Sequence, residues 1–153
     1  MSLEIARVDR FALAASSATP GIVRTRLHRW LNYLSWPPTE ADDIVLCASE
    51  AVSNAVEHAY ADAADGTVQV SVRLESTLDP TLSPPSPGLR WVCVCVRDSG
   101  DWQPTEPEAH SHRRRGLLVM NALMDEVTVT HDARESGTAV ALRSHAVPLP
   151  CDQ

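Results

Sequence analysis

The segment Glu50-Ala51-Val52-Ser53-Asn54-Ala55-Val56-Glu57-His58 places Glu50, Asn54 and His58 at i, i+4 and i+8. On a helix these three form one polar stripe, and the residues between them supply an apolar face. A solvated helix face would also account for Glu and Asn. Asn, however, is a poor helix former, and here it stands mid-helix with no end to cap. A second segment, Asp98-Ser99-Gly100, follows an apolar run. An acid at the end of a buried strand, before a glycine turn, is a frequent ligand-site geometry. The third is Gly116-Leu117, which opens a helical pattern directly after Arg113-Arg114-Arg115. Unpaired N–H groups at a helix start favour phosphate. An ordinary turn and a solvated basic loop are the plain alternatives for these two segments.

The elements that must position these residues follow from periodicity. Leu3, Ile5 and Arg7 alternate with their neighbours and predict a first strand to about Leu13. Thr19-Pro20 reads as an N-cap followed by proline at the first helical position. Ile22, Val23, Leu27, Trp30, Leu31 and Leu34 then recur at helical spacing until Pro37-Pro38. Thr39-x-x-Asp42 resembles a capping box for a second helix reaching about Tyr60. Val68, Val70 and Val72 predict a strand, and Leu89 to Val96 reads as a central strand buried on both faces. The proline-rich stretch between them is a loop. Ser99 to Arg115 reads as irregular, Gly116 to Met124 as a third helix, and the last two strands as a hairpin across Glu135-Ser136-Gly137. Residues 1–144 are expected as one domain and 145–153 as a flexible tail.

Composition narrows the chemistry. A chain of 153 residues, 44% hydrophobic, can bury a core of its own. Its formal net charge of −7 argues against nucleic acid as the main partner. All 13 basic residues are arginine, so no P-loop lysine, Schiff base or Ser–Lys dyad exists here. No run is long enough to span a membrane, and the first residues lack the apolar core of a signal peptide. The four cysteines form no metal or redox pattern, so reduced structural thiols in a cytoplasmic protein are expected.

Taken together, the three segments resemble the N box, the Asp-x-Gly motif and the glycine-containing lid motif of the GHKL ATPases. Gly137-Thr138-Ala139-Val140-Ala141-Leu142 resembles that family's final Gly-Thr strand. The string Glu50 to Ala55 with His58-Ala59-Tyr60, and Leu117-x-x-Met120 to Asp125-x-Val127, are most similar to the branch of anti-sigma-factor serine kinases. The resemblance spans about Leu3 to Arg143. It implies an α+β fold, the two-layer α/β sandwich of the Bergerat type, with a mixed, mostly antiparallel sheet and its helices on one face.

The resemblance also implies roles. Glu50 matches the catalytic base and Asn54 the Mg²⁺ ligand. Asp98 matches the acceptor for the adenine amino group, with Gly100 beside the base and Thr138 supporting Asp98, often through water. Arg115, Gly116 and Leu117 fall on the phosphate side, where Gly116 would let a helix start approach phosphate oxygens. His58 has no catalytic counterpart and reads as structural. The implied activity is ATP-dependent phosphorylation of a serine on an anti-anti-sigma factor by a homodimeric anti-sigma factor, without direct DNA contact. Arg24 and Arg26, off the apolar stripe of the first helix, are candidates for touching a partner.

Two positions depart from the family pattern. Asp101-Trp102 follows Gly100 where a second glycine is common, and Arg114 stands where the lid often has its first glycine. An ATP-binding or sigma-sequestering module with little or no kinase activity is therefore the alternative. A detached histidine-kinase catalytic domain is disfavoured, because no segment is left over for a phosphoacceptor hairpin.

Overall fold

The computed structural model describes residues 2–61, 66–78, 88–99, 107–131 and 137–150. Its elements are β1 (Ser2–Ala14), α1 (Thr19–Tyr33), α2 (Pro38–Ala61), β2 (Thr67–Leu78), β3 (Leu89–Asp98), α3 (Pro107–Leu123), β4 (Glu126–His131), β5 (Thr138–Arg143) and β6 (Val147–Pro148). The strands form one sheet in the order β1-β2-β3-β5-β4, with β6 paired to β3. Every one of these pairings is antiparallel. The three helices lie on one face, as the expected two-layer α+β sandwich requires. Val68, Val70 and Val72 of β2 and Val92, Val94 and Val96 of β3 are all buried beneath them. Val23, Leu27 and Leu31 of α1, with Ile44, Ala48, Val52 and Ala55 of α2, close the core from above.

The ends of α1 show how local chemistry sets the frame. The helix begins one residue before the expected proline start, with Ala18 at the N-cap and no side-chain cap. Thr19 is buried, and its hydroxyl donates to the Ala14 carbonyl at 2.7 Å while accepting from the Ser16 N–H at 2.9 Å. Thr19 thus ties the helix to the end of β1. At the other end, Trp36 N–H donates to Leu31 O and Ser35 N–H to Asn32 O, both at 3.0 Å. This is the hydrogen-bond pair of a Schellman turn, with Ser35 at φ 50 in the position that usually holds glycine. The turn is then held from below. Arg90, buried on β3, donates from Nη1 to Leu34 O at 2.7 Å and from Nη2 to Ser35 O at 3.1 Å. Its guanidinium also stacks on Trp36, 4.6 Å from the ring centre. α2 starts at Pro38, one residue ahead of Thr39, and Pro37 O accepts the first helical bond from Ala41 N–H. Proline at the first helical position has no N–H to leave unpaired and a φ already suited to the helix.

Three expectations change on contact with the structure. β3 is central, but only one of its faces is buried. Trp91, Cys93 and Cys95 lie half-buried on the open side, because no helix covers it. There Glu75 is enclosed by Arg73 and Trp91, whose Nε and Nε1 reach its two oxygens at 2.6 and 2.7 Å. α3 begins at Pro107 rather than Gly116. The extra turns are polar, Pro107-Glu108-Ala109-His110-Ser111-His112, so no apolar period announces them. The segment expected as a flexible tail pairs instead with β3 over Leu89 and Arg90, and Ser144 exchanges two 2.9 Å bonds with the Val92 backbone. β5 covers β3 only from Cys93 onward, so the earlier residues have an open ladder edge that Val147–Pro148 fills.

Arg90→Ala removes two charge-assisted bonds to the part-buried carbonyls of Leu34 and Ser35. It is expected to lower stability by about 2–4 kcal/mol, read as a drop in the urea midpoint at unchanged slope.

Candidate functional site

α2 lies between α1 and α3 and passes over β3 and β5. Its apolar positions face the sheet, which leaves Glu50 and Asn54 half-buried along the side turned to α3. At that point α3 carries Gly116, which is buried. A Cβ there would lie 3.3 Å from Glu50 Oε2, 3.5 Å from Asn54 Nδ2 and 3.8 Å from Met120 Cε. A side chain there would press on Glu50 by a few tenths of an ångström and meet Asn54 at ordinary contact distance. Cys47 sits fully buried one turn before Glu50, and burial, with Asp43 and Glu50 nearby, pushes its thiol up to about 11. It stays protonated near neutral pH and is no nucleophile.

The second half of the site is at the end of β3. Asp98 is buried, and its ladder partners are Val68 on β2 and Thr138 on β5. Facing residues on paired strands share a face, so Asp98 and Thr138 both point to the helical side. Thr138 in turn faces His131 on β4, and Thr138 Oγ1 and His131 Nδ1 are 3.1 Å apart. Just before Thr138, Gly137 passes against the β3 backbone. A Cβ on it would lie 2.5 Å from Asp98 O, closer than real contacts allow. The glycine of the final Gly-Thr strand is therefore required by a close approach of two backbones.

The structure thus brings Glu50, Asn54 and Gly116 together, and places Asp98 and Thr138 in one cross-strand row. Leu117 is half-buried against the core, and Arg115 is exposed. Gly100 and the departing residue Asp101 lie outside the described residues, as do the side chains of His58, Arg113 and Arg114. Gly116 needs a correction. It stands mid-helix, so its N–H belongs to the helical ladder and offers no free donor at a helix start. Its role is to make room. Arg24 and Arg26 are also engaged within the chain. Arg24 Nη1 donates to Ser49 Oγ at 3.0 Å, next to Glu50 in sequence. Arg26 stacks over Phe11 at 4.1 Å and reaches Asp9 at 3.7 Å, binding α1 to β1. Sequence reasoning missed His131, because a hairpin closed across Glu135-Ser136-Gly137 does not set it opposite Thr138; six residues separate the two. Among the described residues no three His, Cys, Asp or Glu side chains converge as a metal cage, and no helix is long and apolar enough to cross a membrane. A hollow lined by Ser71, Arg73, Cys93 and Arg143 is on the open sheet face, away from all of these groups.

A helix-covered antiparallel sheet, with a Glu/Asn stripe on the middle helix and an acid closing the central strand, defines a GHKL-type nucleotide-binding sandwich. The chain belongs to the histidine kinase-like ATPase domain family, whose model matches residues 13–144. It is 29% identical over 143 residues to an anti-sigma F factor of Bacillus velezensis, covering 86% of this chain and 88% of that one. It is 30% identical over 127 residues to the serine-protein kinase RsbW of the same species, and 28% over 127 residues to RsbW of Bacillus subtilis; each covers 82% of this chain and 77% of the relative. Among solved structures it is similar to the RsbU and RsbW domains of Rv1364c from Mycobacterium tuberculosis, at 26% identity and a TM-score of 0.62. That match takes in 97% of this chain and 35% of the other, so this chain spans about a third of that protein's length.

The two glycines should respond oppositely to alanine. In Gly116→Ala the Glu50 side chain can yield by the few tenths of an ångström needed. Better helix propensity then raises stability by roughly 0.5–1 kcal/mol. In Gly137→Ala a backbone carbonyl must move, which costs about 1–3 kcal/mol. Urea denaturation of both variants beside wild type reads the two signs.

Proposed function

We propose that this chain binds ATP with Mg²⁺ and transfers the γ-phosphoryl group to a serine of an anti-anti-sigma protein, so regulating a sigma factor. The observation that carries the reading is the pairing of Glu50 with Asn54 one turn apart, both facing Gly116 on α3. The names of the relatives, anti-sigma F factor and serine-protein kinase, support the same class. In the transfer, the incoming serine oxygen bonds to the γ-phosphorus as the bond to the β,γ-bridging oxygen breaks, and ADP leaves. Glu50 accepts the serine proton. Asp98 accepts the adenine amino hydrogen, and Thr138 supports it.

The donor set fits magnesium. One neutral side-chain oxygen, from Asn54, suits an ion that keeps several waters and takes other oxygens from phosphates. Bound there, the ion would neutralise charge on the β- and γ-phosphates. Homodimer formation and a cytoplasmic location belong to this proposal through the family resemblance, and the net charge of −7 supports protein partners over nucleic acid.

A second reading has its own support. α3 runs unbroken through Gly116, so that glycine is not at a helix start, and the lid carries Arg114 in place of a glycine. A module that binds ATP or a partner without transfer fits that geometry.

Phosphorylation of a cognate anti-anti-sigma protein with radiolabelled ATP, run beside calorimetry, separates the two. Glu50→Ala is expected to cut transfer by about 10²–10⁴-fold with ATP still bound. Asn54→Ala should weaken both, and Asp98→Asn should weaken ATP binding by roughly 1.5–3 kcal/mol. Transfer by Glu50→Ala at the wild-type rate would place the base elsewhere. ATP binding by wild type without transfer to any cognate partner would establish the second reading.

A further inference from the structure

We propose that His131 is a positioning residue for adenine recognition, acting through Thr138 to favour ATP over GTP. The inference rests on the ATP reading of the site. Its basis is the row that the ladder creates: Asp98 on β3, Thr138 on β5 and His131 on β4 stand directly opposite one another and share the helical face. Facing side chains on adjacent strands start only about 4.5–5.5 Å apart, so each can reach the next. The outer link is made, with His131 Nδ1 3.1 Å from Thr138 Oγ1.

Thr138 has one hydroxyl hydrogen and can either donate or accept. Which it does toward a ligand depends on its neighbour. When His131 Nδ1 carries the ring proton, it donates to Oγ1, and the threonine hydrogen must point elsewhere, inward along the row. Thr138 is then a donor at the place where the base meets Asp98. Adenine presents an amino donor beside the N1 acceptor, which matches a carboxylate beside a hydroxyl donor. Guanine presents the reverse, a carbonyl beside an N1–H donor, and meets two mismatches. The contact also fixes the threonine rotamer, which is otherwise divided among staggered wells. His131 is exposed, on the edge strand of the sheet, so its replacement leaves the core intact.

The test measures ATP and GTP affinity by calorimetry for wild type, His131→Ala, His131→Asn, Thr138→Val and the His131→Ala/Thr138→Val pair. A neutral hydrogen bond corresponds to a factor of about 3–10, so His131→Ala should lose about that much of the ATP-over-GTP preference. His131→Asn places an amide nitrogen where Nδ1 stood and should restore it. With Thr138→Val the further change to His131→Ala should have no effect, which a general loss of fold would not reproduce. Unchanged preference in His131→Ala, no rescue by asparagine, or an equal effect with and without the threonine hydroxyl would overturn the proposal. If wild type binds ATP, and Asp98→Asn weakens it, such a result removes His131 alone. If wild type binds neither nucleotide, the ATP reading fails, and this inference falls with it.

Discussion

The seating of α2 on the valines of β2 and β3 is the contact on which the rest of the molecule depends. Val52 and Ala55 meet a floor made of Val70, Val72, Val94 and Val96, all buried. Because Ala51, Val52, Ala55 and Val56 are buried in the core, the remaining stripe is fixed in direction as well as in spacing. Glu50 and Asn54 are aimed at α3 by apolar packing they take no part in. α3 in turn meets them at Gly116, where a side chain would crowd Glu50. Shape complementarity in the core and chemistry at the rim are thus set by the same helix.

A second dependence runs through the sheet. Antiparallel pairing carries Asp98, Thr138 and His131 into line although they come from three separate strands. The hairpin of β4 and β5 adds Val140 and Leu142 to the core. It also sets register, and Gly137 allows that register by lying against the Asp98 carbonyl. A slip of one residue would turn Thr138 to the open face.

How much of this is legible in the chain alone varies by element. The α2 stripe is visible because helical period and polar residue types coincide at Glu50 and Asn54. The centrality of β3 is visible in its apolar run, yet the run hides its one-sidedness. Trp91, Cys93 and Cys95 read as core residues, while alternation places them beside Arg73 and Glu75 on the uncovered face. The first turns of α3 escape notice because a polar helix has no hydrophobic period to count. The end of the chain escapes for a different reason. Val147 and Leu149 sit among prolines, and the demand they meet is an open edge far away in sequence, on β3. Gly116 shows the same limit within the site. Its type signals close approach, but spacing cannot say whether the close partner is a phosphate or a neighbouring side chain.

Arg90 has a consequence for how the chain acquires its structure. Its backbone pairs with Val147, and its side chain holds the carbonyls of Leu34 and Ser35. Three stretches, each more than fifty residues from the next, therefore close upon one residue. The helical hairpin of α1 and α2 rests on local contacts and can form early, but its turn is locked only once β3 is in place, and β3 is completed only when Val147 arrives. Contacts this distant slow folding, because the entropy of closing the intervening loops must be met before they contribute. As the polypeptide emerges, the two helices hold their apolar faces without a floor until β2 and β3 have followed. That interval is where the nascent chain is most exposed to aggregation.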